Sequence, residues 1–236
     1  MKAAAARERS HAHRVSVHSL DRHVVGTTSL AMSVGPLIPN DIVAETDDHT
    51  RQPDQGAIME HPFFTIGHST RPIPAFVQML ESVDVHLVVD VRTVPRSRTN
   101  PQYNIEALPD AMAGFQIGYE HLAELGGLRG RQSGIQPAEN AFWENRSFHN
   151  YADYAMSESF GRGFAKLRKL GHQRRCAIMC SEAVWWRCHR RIIADYLITA
   201  GESVFHILDV DHVQPAVLTP AARSYGDGRL TYPSTS

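Results

Sequence analysis

Cysteine is scarce in this chain. Cys176, Cys180 and Cys188 are the three present among 236 residues, too few for a disulfide framework, and the expectation is a cytoplasmic protein. No apolar run approaches the roughly 18 residues that a membrane span needs. The N-terminus carries Arg and Ala without a continuous apolar core and a small-residue cleavage site after it, which argues against a secretory signal. Neither a Gly-x-Gly-x-x-Gly motif nor a P-loop occurs, which argues against a standard dinucleotide or triphosphate cradle. Charge of one sign is lacking too: 24 Lys and Arg stand against 25 Asp and Glu, for a formal net charge of −1. Bulk electrostatics therefore give no reason to expect non-specific nucleic-acid binding, and a local basic patch is the form such binding would take.

The hydrophobic fraction of 42% and charged fraction of 21% suit an ordinary core. The length fits one domain plus an extension. Residues 1 to 60 show neither helical nor strand periodicity and are expected to be a disordered extension. An alternative start at Met59 would delete that segment without touching the domain. Phe63-Phe64-Thr65-Ile66, ending at Gly67, reads as a strand, with Ser69 or Thr70 capping a helix over Phe76, Val77 and Leu80. Leu87-Val88-Val89-Asp90-Val91 is a continuous branched-apolar run of the kind buried on both faces of a parallel sheet. A helix over Asn104 to Gly114 and a strand over Ile117 to Leu122 come next. Gly126 and Gly127 then permit close backbone approach. Asn150 to Leu170 reads as helix, with a break at Gly161 or Gly163. Cys176 to Cys180 is another strand, the stretch after it runs into a helix stopped by Gly201, and Ser203 to Leu208 closes the sheet.

The expected fold is α/β: a three-layer domain over residues 61 to 212 with a mainly parallel sheet of about five strands, Rossmann-like or flavodoxin-like. A loosely attached tail over 213 to 236 completes the chain. In such a sheet the carboxyl ends of the strands share one edge. His68 and Ser69, then Asp90 with Arg92, Arg96 and Arg98, then Gly126, Gly127 and Arg129, and finally Glu182, Cys188, His189 and Arg190 all come after strands. They are therefore expected to converge.

Three chemistries compete for these residues. An anion site would use Arg92, Arg96, Arg98, Arg129 and Arg190, with the amides at the starts of the helices after Ser69 and Cys188. Asp90 or Glu182 would orient the arginines or act as general base; the plainer alternative pairs Asp90 with an arginine and Glu182 with Arg190 as structural ion pairs. Cys188 as a nucleophile is the second, its thiolate favoured by Arg187, Arg190 and a helix dipole. His189, about 100° away on a helix, would be badly placed as its base, leaving His68, His121 or Glu182. Packing as a small apolar residue is the bland reading of Cys188. A metal held by Cys180, Cys188 and His189 is the third, and their spacing argues against zinc, so neither metal nor cofactor is expected. One of Trp185 and Trp186 would stack on a base or sugar, or both would pack.

The blocks Gly67-His68-Ser69-Thr70, Asp90-Val91-Arg92 with Pro95 and Ser97-Arg98, Leu125-Gly126-Gly127, Tyr151-Ala152-Asp153-Tyr154, Cys180-Ser181-Glu182, Cys188-His189-Arg190 and His206-Ile207 resemble those of the domain of unknown function 488 family. That resemblance covers about residues 62 to 208. It departs from the family pattern at Ser181, where Ala is usual, and in the loop Ala183 to Arg187, which lacks the usual proline. It implies a compact α/β domain and supplies no reaction. From the residues themselves, the expected function is a hydrolase or transferase acting on a small phosphorylated or nucleotide-like substrate. Its catalytic candidates are Glu182, Cys188, Asp90 and His68, and its binding candidates are Ser69, Arg92, Arg98, Arg129, Trp186, His189 and Arg190. The rival is a non-catalytic module that binds a nucleotide, or nucleic acid through the basic Arg92 to Arg98 loop. A redox protein using Cys180 and Cys188 ranks last, because their separation differs from Cys-x-x-Cys.

Overall fold

A computed structural model describes residues 61–234. The expectations placed on residues 1 to 60, including the alternative start at Met59, lie outside the described residues.

The contiguous apolar runs become the central strands: β1 (Phe63–Gly67), β2 (Leu87–Asp90) and β4 (Cys176–Cys180) are buried along their whole length. With β3 (Gly118–His121), β5 (Val204–Asp209) and β6 (His212–Pro215) they form a six-stranded sheet of order β3-β2-β4-β1-β5-β6. All neighbours are parallel except β5 and β6, which are antiparallel. The sixth strand exceeds the expected five. Its sequence, His-Val-Gln-Pro, has no apolar run to announce it, and Pro215 fits an edge strand, where a missing N–H is tolerated. The strand order is neither of the two common doubly wound orders, so what carries over from the expectation is the mainly parallel sheet and its layering.

Alternation along each strand feeds two cores. Phe64, Ile66, Val88, Ala177 and Met179 pack with Phe76 and Leu80 of α1 (Ile73–Glu81) and with Leu108 and Met112 of α2 (Leu108–Ala113). Phe63, Val89, Cys176 and Ile178 pack on the opposite face against three helices: α3 (Arg146–Ala155), α4 (Glu158–Gln173) and α5 (Arg190–Thr199). The result is three layers, with helices on both sides of the sheet. Adjacent strands β2 and β4 send their chains to opposite faces, towards α2 and α5. Their loops therefore diverge, and the divergence opens a crevice at the carboxyl ends of the strands.

Several local expectations are corrected. Ser69 and Thr70 do not cap α1: the helix starts after Pro72, with no side-chain cap, and Ser69 is held in the left-handed region at φ 51. The long helical stretch breaks at Met156 and Ser157 instead of at Gly161 or Gly163. The Ser157 hydroxyl accepts from the Phe160 N–H and restarts the helix as its cap. The tail is also packed where loose attachment was expected. Tyr232 is fully buried, its N–H bonds to Asn140 Oδ1 and its hydroxyl donates to Asp195 Oδ2. A short ribbon, β7 (Arg223–Ser224) with β8 (Leu230–Thr231), brings it there. No helix among the described residues is long and apolar enough to cross a membrane.

Candidate active site

A cleft of about 680 Å³ occupies the crevice. The turn after β1 contributes His68, Ser69 and Thr70, the loop after β2 contributes Arg92, Arg96 and Ser97, and the end of β4 contributes Cys180, Ser181 and Glu182. A side cleft of about 170 Å³ shares Gly127, Cys180, Glu182 and His189 with it and adds Phe148, Arg187 and Cys188. Two glycines let these walls meet. A Cβ on Gly67 would lie 2.0 Å from the Glu182 carbonyl oxygen, and one on Gly127 would lie 2.3 Å from His189 Nδ1.

Of the arginines expected to clamp an anion, the structure commits most to other partners. Arg92 is buried, its Nε donating to both oxygens of Asp90 at 2.9 and 3.1 Å and its Nη2 donating to Asp90 Oδ2 and to the Tyr103 carbonyl, both at 2.6 Å. Asp90 is wholly buried and also accepts from the Tyr119 hydroxyl at 2.7 Å. This is the structural ion pair, and it leaves Asp90 no open lone pair with which to serve as a base. Arg129 donates to the carbonyls of Ala123, Glu124 and Gly126 and lies 3.8 Å over the Tyr154 ring, outside both clefts. Arg98 is exposed and lines neither cleft. Arg96 reaches the main cleft while paired to Glu106. Trp186 is 47% exposed and lines no cleft, whereas Trp185 stacks on His206 with ring centroids 4.3 Å apart.

His68 reaches the cleft in a neutral form. Burial, with help from the Arg92 charge, pulls it down to about 4, against the opposing bond to the Ser69 carbonyl. Its Nδ1 faces Ser69 O at 2.7 Å, so the tautomer with Nδ1–H leaves Nε2 to accept from Arg92 Nη1 at 3.2 Å. Both nitrogens are therefore occupied, which suits positioning better than proton transfer. His121, the other histidine considered as a base, faces the Arg92 carbonyl at 2.8 Å and lines neither cleft.

The remaining polar groups converge on Cys188. The helix α5 begins at Arg190, with His189 as its N-cap, so Cys188 is in extended backbone just ahead of it. That later start overturns the objection to His189: its Nδ1 is 3.6 Å from Cys188 Sγ and 4.0 Å from Cys180 Sγ. Its Nε2 faces the Val91 carbonyl at 3.1 Å, which sets the Nε2–H tautomer and leaves Nδ1 as an acceptor aimed at both thiols. Arg190 Nε donates to Cys188 Sγ at 3.3 Å, and its Nη2 donates to the Glu182 carbonyl. Glu182 does not pair with Arg190 through its carboxylate. Glu182 lines both clefts, and its carboxylate accepts from the Val184 N–H.

Arg190 is 1% exposed, and among the described residues no carboxylate pairs with it. A buried cation is retained where an anion balances it. Cys188 Sγ is the group in that place. Burial by itself pushes the Cys188 thiol up; the bond from Cys180 and the Arg190 charge outweigh it and bring Cys188 down to about 6. Cys180 moves the other way, to about 12, through its bond to Cys188 and then burial, and Cys176 reaches about 12 by burial alone. The three thiols on this short stretch are thus shifted differently: Cys188 is pulled down, while Cys180 and Cys176 are pushed up.

Cys180 Sγ, Cys188 Sγ and His189 Nδ1 lie within 4.8 Å of one another, close enough to ligate one ion. Charge balance opposes that use. One thiolate already neutralises Arg190, and a dication with both thiols ionised would leave one positive charge in excess in a buried site. Sequence reasoning missed that Cys180 sits beside Cys188 and that His189 Nδ1 faces both sulfurs. The signal was the start of α5, since moving it past Cys188 turns the imidazole towards the sulfurs.

A family model described as domain of unknown function DUF488 matches residues 72–197. No curated protein and no solved structure matches the chain.

Proposed function

Because the chain belongs to the DUF488 family, a membership that assigns no reaction, we propose from the site itself an enzyme that uses the Cys188 thiolate as nucleophile on a small anionic ligand. The observation that carries this reading is the buried Arg190, whose anionic partner is Cys188 Sγ at 3.3 Å. A thiolate held ionised near neutral pH is a ready nucleophile. His189 Nδ1 is the acceptor next to it, and the half-buried Glu182, which lines both clefts, is the second acid/base candidate. Arg96, Arg187 and the hydroxyls of Ser69 and Thr70 supply the anion-binding side. Phosphorylated or nucleotide-like ligands fit that side, and the outcome is hydrolysis or group transfer. Placement at the diverging loops of β2 and β4 supports a discrete small-molecule site.

The competing reading, a non-catalytic module that binds nucleic acid through the Arg92 to Arg98 loop, loses support because the Arg92 guanidinium is spent on Asp90. Alkylation tests the enzyme. Native protein at neutral pH is expected to react with iodoacetamide at Cys188, with Cys176 protected until denaturation; a Cys188 equally inert would remove the nucleophile.

A further inference from the structure

We infer that Cys180 and Cys188 form a thiol–disulfide couple, which gives this site a second activity: two-electron reduction of low-molecular-weight disulfides that carry anionic groups. The inference rests on the Cys188 nucleophile proposed above and goes beyond it by assigning Cys180 the resolving role.

Four observations carry it. The two sulfurs and His189 Nδ1 lie within 4.8 Å of one another. Cys180 is the last residue of β4 and Cys188 immediately precedes the N-cap of α5, so the pair is brought together by the fold across a loop that no Cys-x-x-Cys spacing would reveal. Cys180 lines both clefts, so it meets a group delivered to Cys188 without leaving its place. His189 Nδ1 faces both sulfurs, at 3.6 Å from Cys188 and 4.0 Å from Cys180, which lets one base serve two thiols in turn. The side cleft is also lined by Arg187, a cation suited to the carboxylates of a small disulfide.

The steps balance. The Cys188 thiolate attacks one sulfur of the substrate disulfide; a Cys188–substrate S–S bond forms, the substrate's own S–S bond breaks, and the first product leaves as a thiolate. His189 Nδ1 then takes the Cys180 proton, and the Cys180 thiolate attacks Cys188 Sγ. The Cys180–Cys188 bond forms as the second substrate sulfur departs with the proton from His189. Substrate gains two electrons and the cysteine pair loses them. A small dithiol, acting as external reductant, restores the pair. Arg190 favours the step in which Cys188 is the attacking or leaving thiolate, because that sulfur is the one it neutralises.

The test uses the full chain, reduced, freed of metal with EDTA, and equilibrated in buffers of reduced and oxidised glutathione. After acid quench and alkylation, the expected result is a linked Cys180–Cys188 peptide whose fraction rises with the oxidised share, with Cys176 left free. Cys180→Ser is expected to abolish the link and to trap glutathione on Cys188, while Cys188→Ser traps none on Cys180. A thermal midpoint for each variant within a few degrees of the parent confirms that the fold is retained, and Cys180→Ala repeats the experiment should the serine variant fail that check. Oxidised glutathione is also expected to be consumed catalytically in the presence of dithiothreitol, and not by either serine variant. If Cys188 alkylates at neutral pH yet neither the linked peptide nor the trapped glutathione appears at any ratio, the couple is overturned and the nucleophile stands. A Cys188 inert to iodoacetamide defeats both.

Discussion

Two buried arginines sit beside the same crevice and are balanced in different ways. Arg92 is held by the Asp90 carboxylate through three short contacts, and Arg190 by the Cys188 sulfur through one at 3.3 Å. The Asp90 carboxylate takes the Arg92 guanidinium through both of its oxygens while Arg92 also reaches the Tyr103 carbonyl, so this pair pins the loop after β2. A thiol ionises near neutrality only with help, and at the second site the neighbouring Cys180 thiol and the Arg190 guanidinium pull the Cys188 value down. The first pair is therefore scaffold, and the second is where the proposed nucleophile sits. Both arginines read alike in the sequence, as cations after strands.

Removing one anion should break the comparison most sharply. Asp90→Ala leaves Arg92 buried and unbalanced, and the expected loss of stability is about 3–5 kcal/mol, the usual cost of stripping one partner from a buried pair. Urea denaturation measures it. A loss under about 1 kcal/mol would show that Arg92 finds water or another partner and that the pair is not scaffold. Arg190→Met is expected to cost less, about 1–3 kcal/mol, chiefly from the unpaired Glu182 carbonyl, since the thiolate can protonate once its cation is gone. Its larger signature is chemical: the pH midpoint of Cys188 alkylation, expected at about 6 in the parent, should rise towards the ordinary thiol value of 9.0. A midpoint that stays near 6 would assign the whole effect to the Cys180 bond.

That pair of arginines also marks where sequence reasoning reached its limit. The strands Phe63 to Ile66, Leu87 to Val91 and Cys176 to Cys180 were legible because a strand buried on both faces must be apolar throughout, and the crevice followed from their parallel order. What a charged side chain does was not legible, because the sequence displays the charge and conceals its partner. Asp90 lies two residues from Arg92 and yet reaches it by turning back at the strand end, while Cys188 looked like a helical residue and stands just before the helix. The helix break at Ser157 did have a local signal, a Ser-Glu pair able to cap, which the glycines nearby outshouted. Tyr232 had none, since its value lies in reaching Asn140 and Asp195, far away in the chain.

The pH dependence of stability sharpens the contrast with a smaller effect. The folded Cys188 value is depressed below 9.0, to about 6, so its contribution is fully present above the unfolded value and is lost as pH falls through the folded one. His68 and His206 are both lowered to about 4 from 6.5, and they add a further loss of stability on acidification, confined to below the ordinary histidine value. Between about pH 7 and pH 8 the histidines are largely neutral in both states, and the unfolded chain binds nearly one more proton at Cys188 than the folded one. Stability should therefore rise by about 1 kcal/mol per pH unit in that window. Nearer pH 9 the raised Cys176 and Cys180 values, about 12 against 9.0, oppose the rise and cancel it. Cys188→Ser should flatten the slope. A slope that survives the substitution would place the ionisation elsewhere.

The smallest effect is expected at Trp186, and it separates the loop's two tryptophans as the arginines were separated. Trp185 packs its indole on His206, so its removal opens a gap beside β5. Trp186 is 47% exposed and lines neither cleft, so Trp186→Ala should change stability by no more than about 0.5 kcal/mol and leave the Cys188 alkylation rate untouched. Its contact with Trp185, at 5.6 Å between centroids and 89° between planes, is edge-on and borders solvent. A large fall in either quantity would mean that Trp186 closes over the side cleft when a reagent enters, and that the wall of the thiolate site extends through a residue the unliganded geometry leaves outside it.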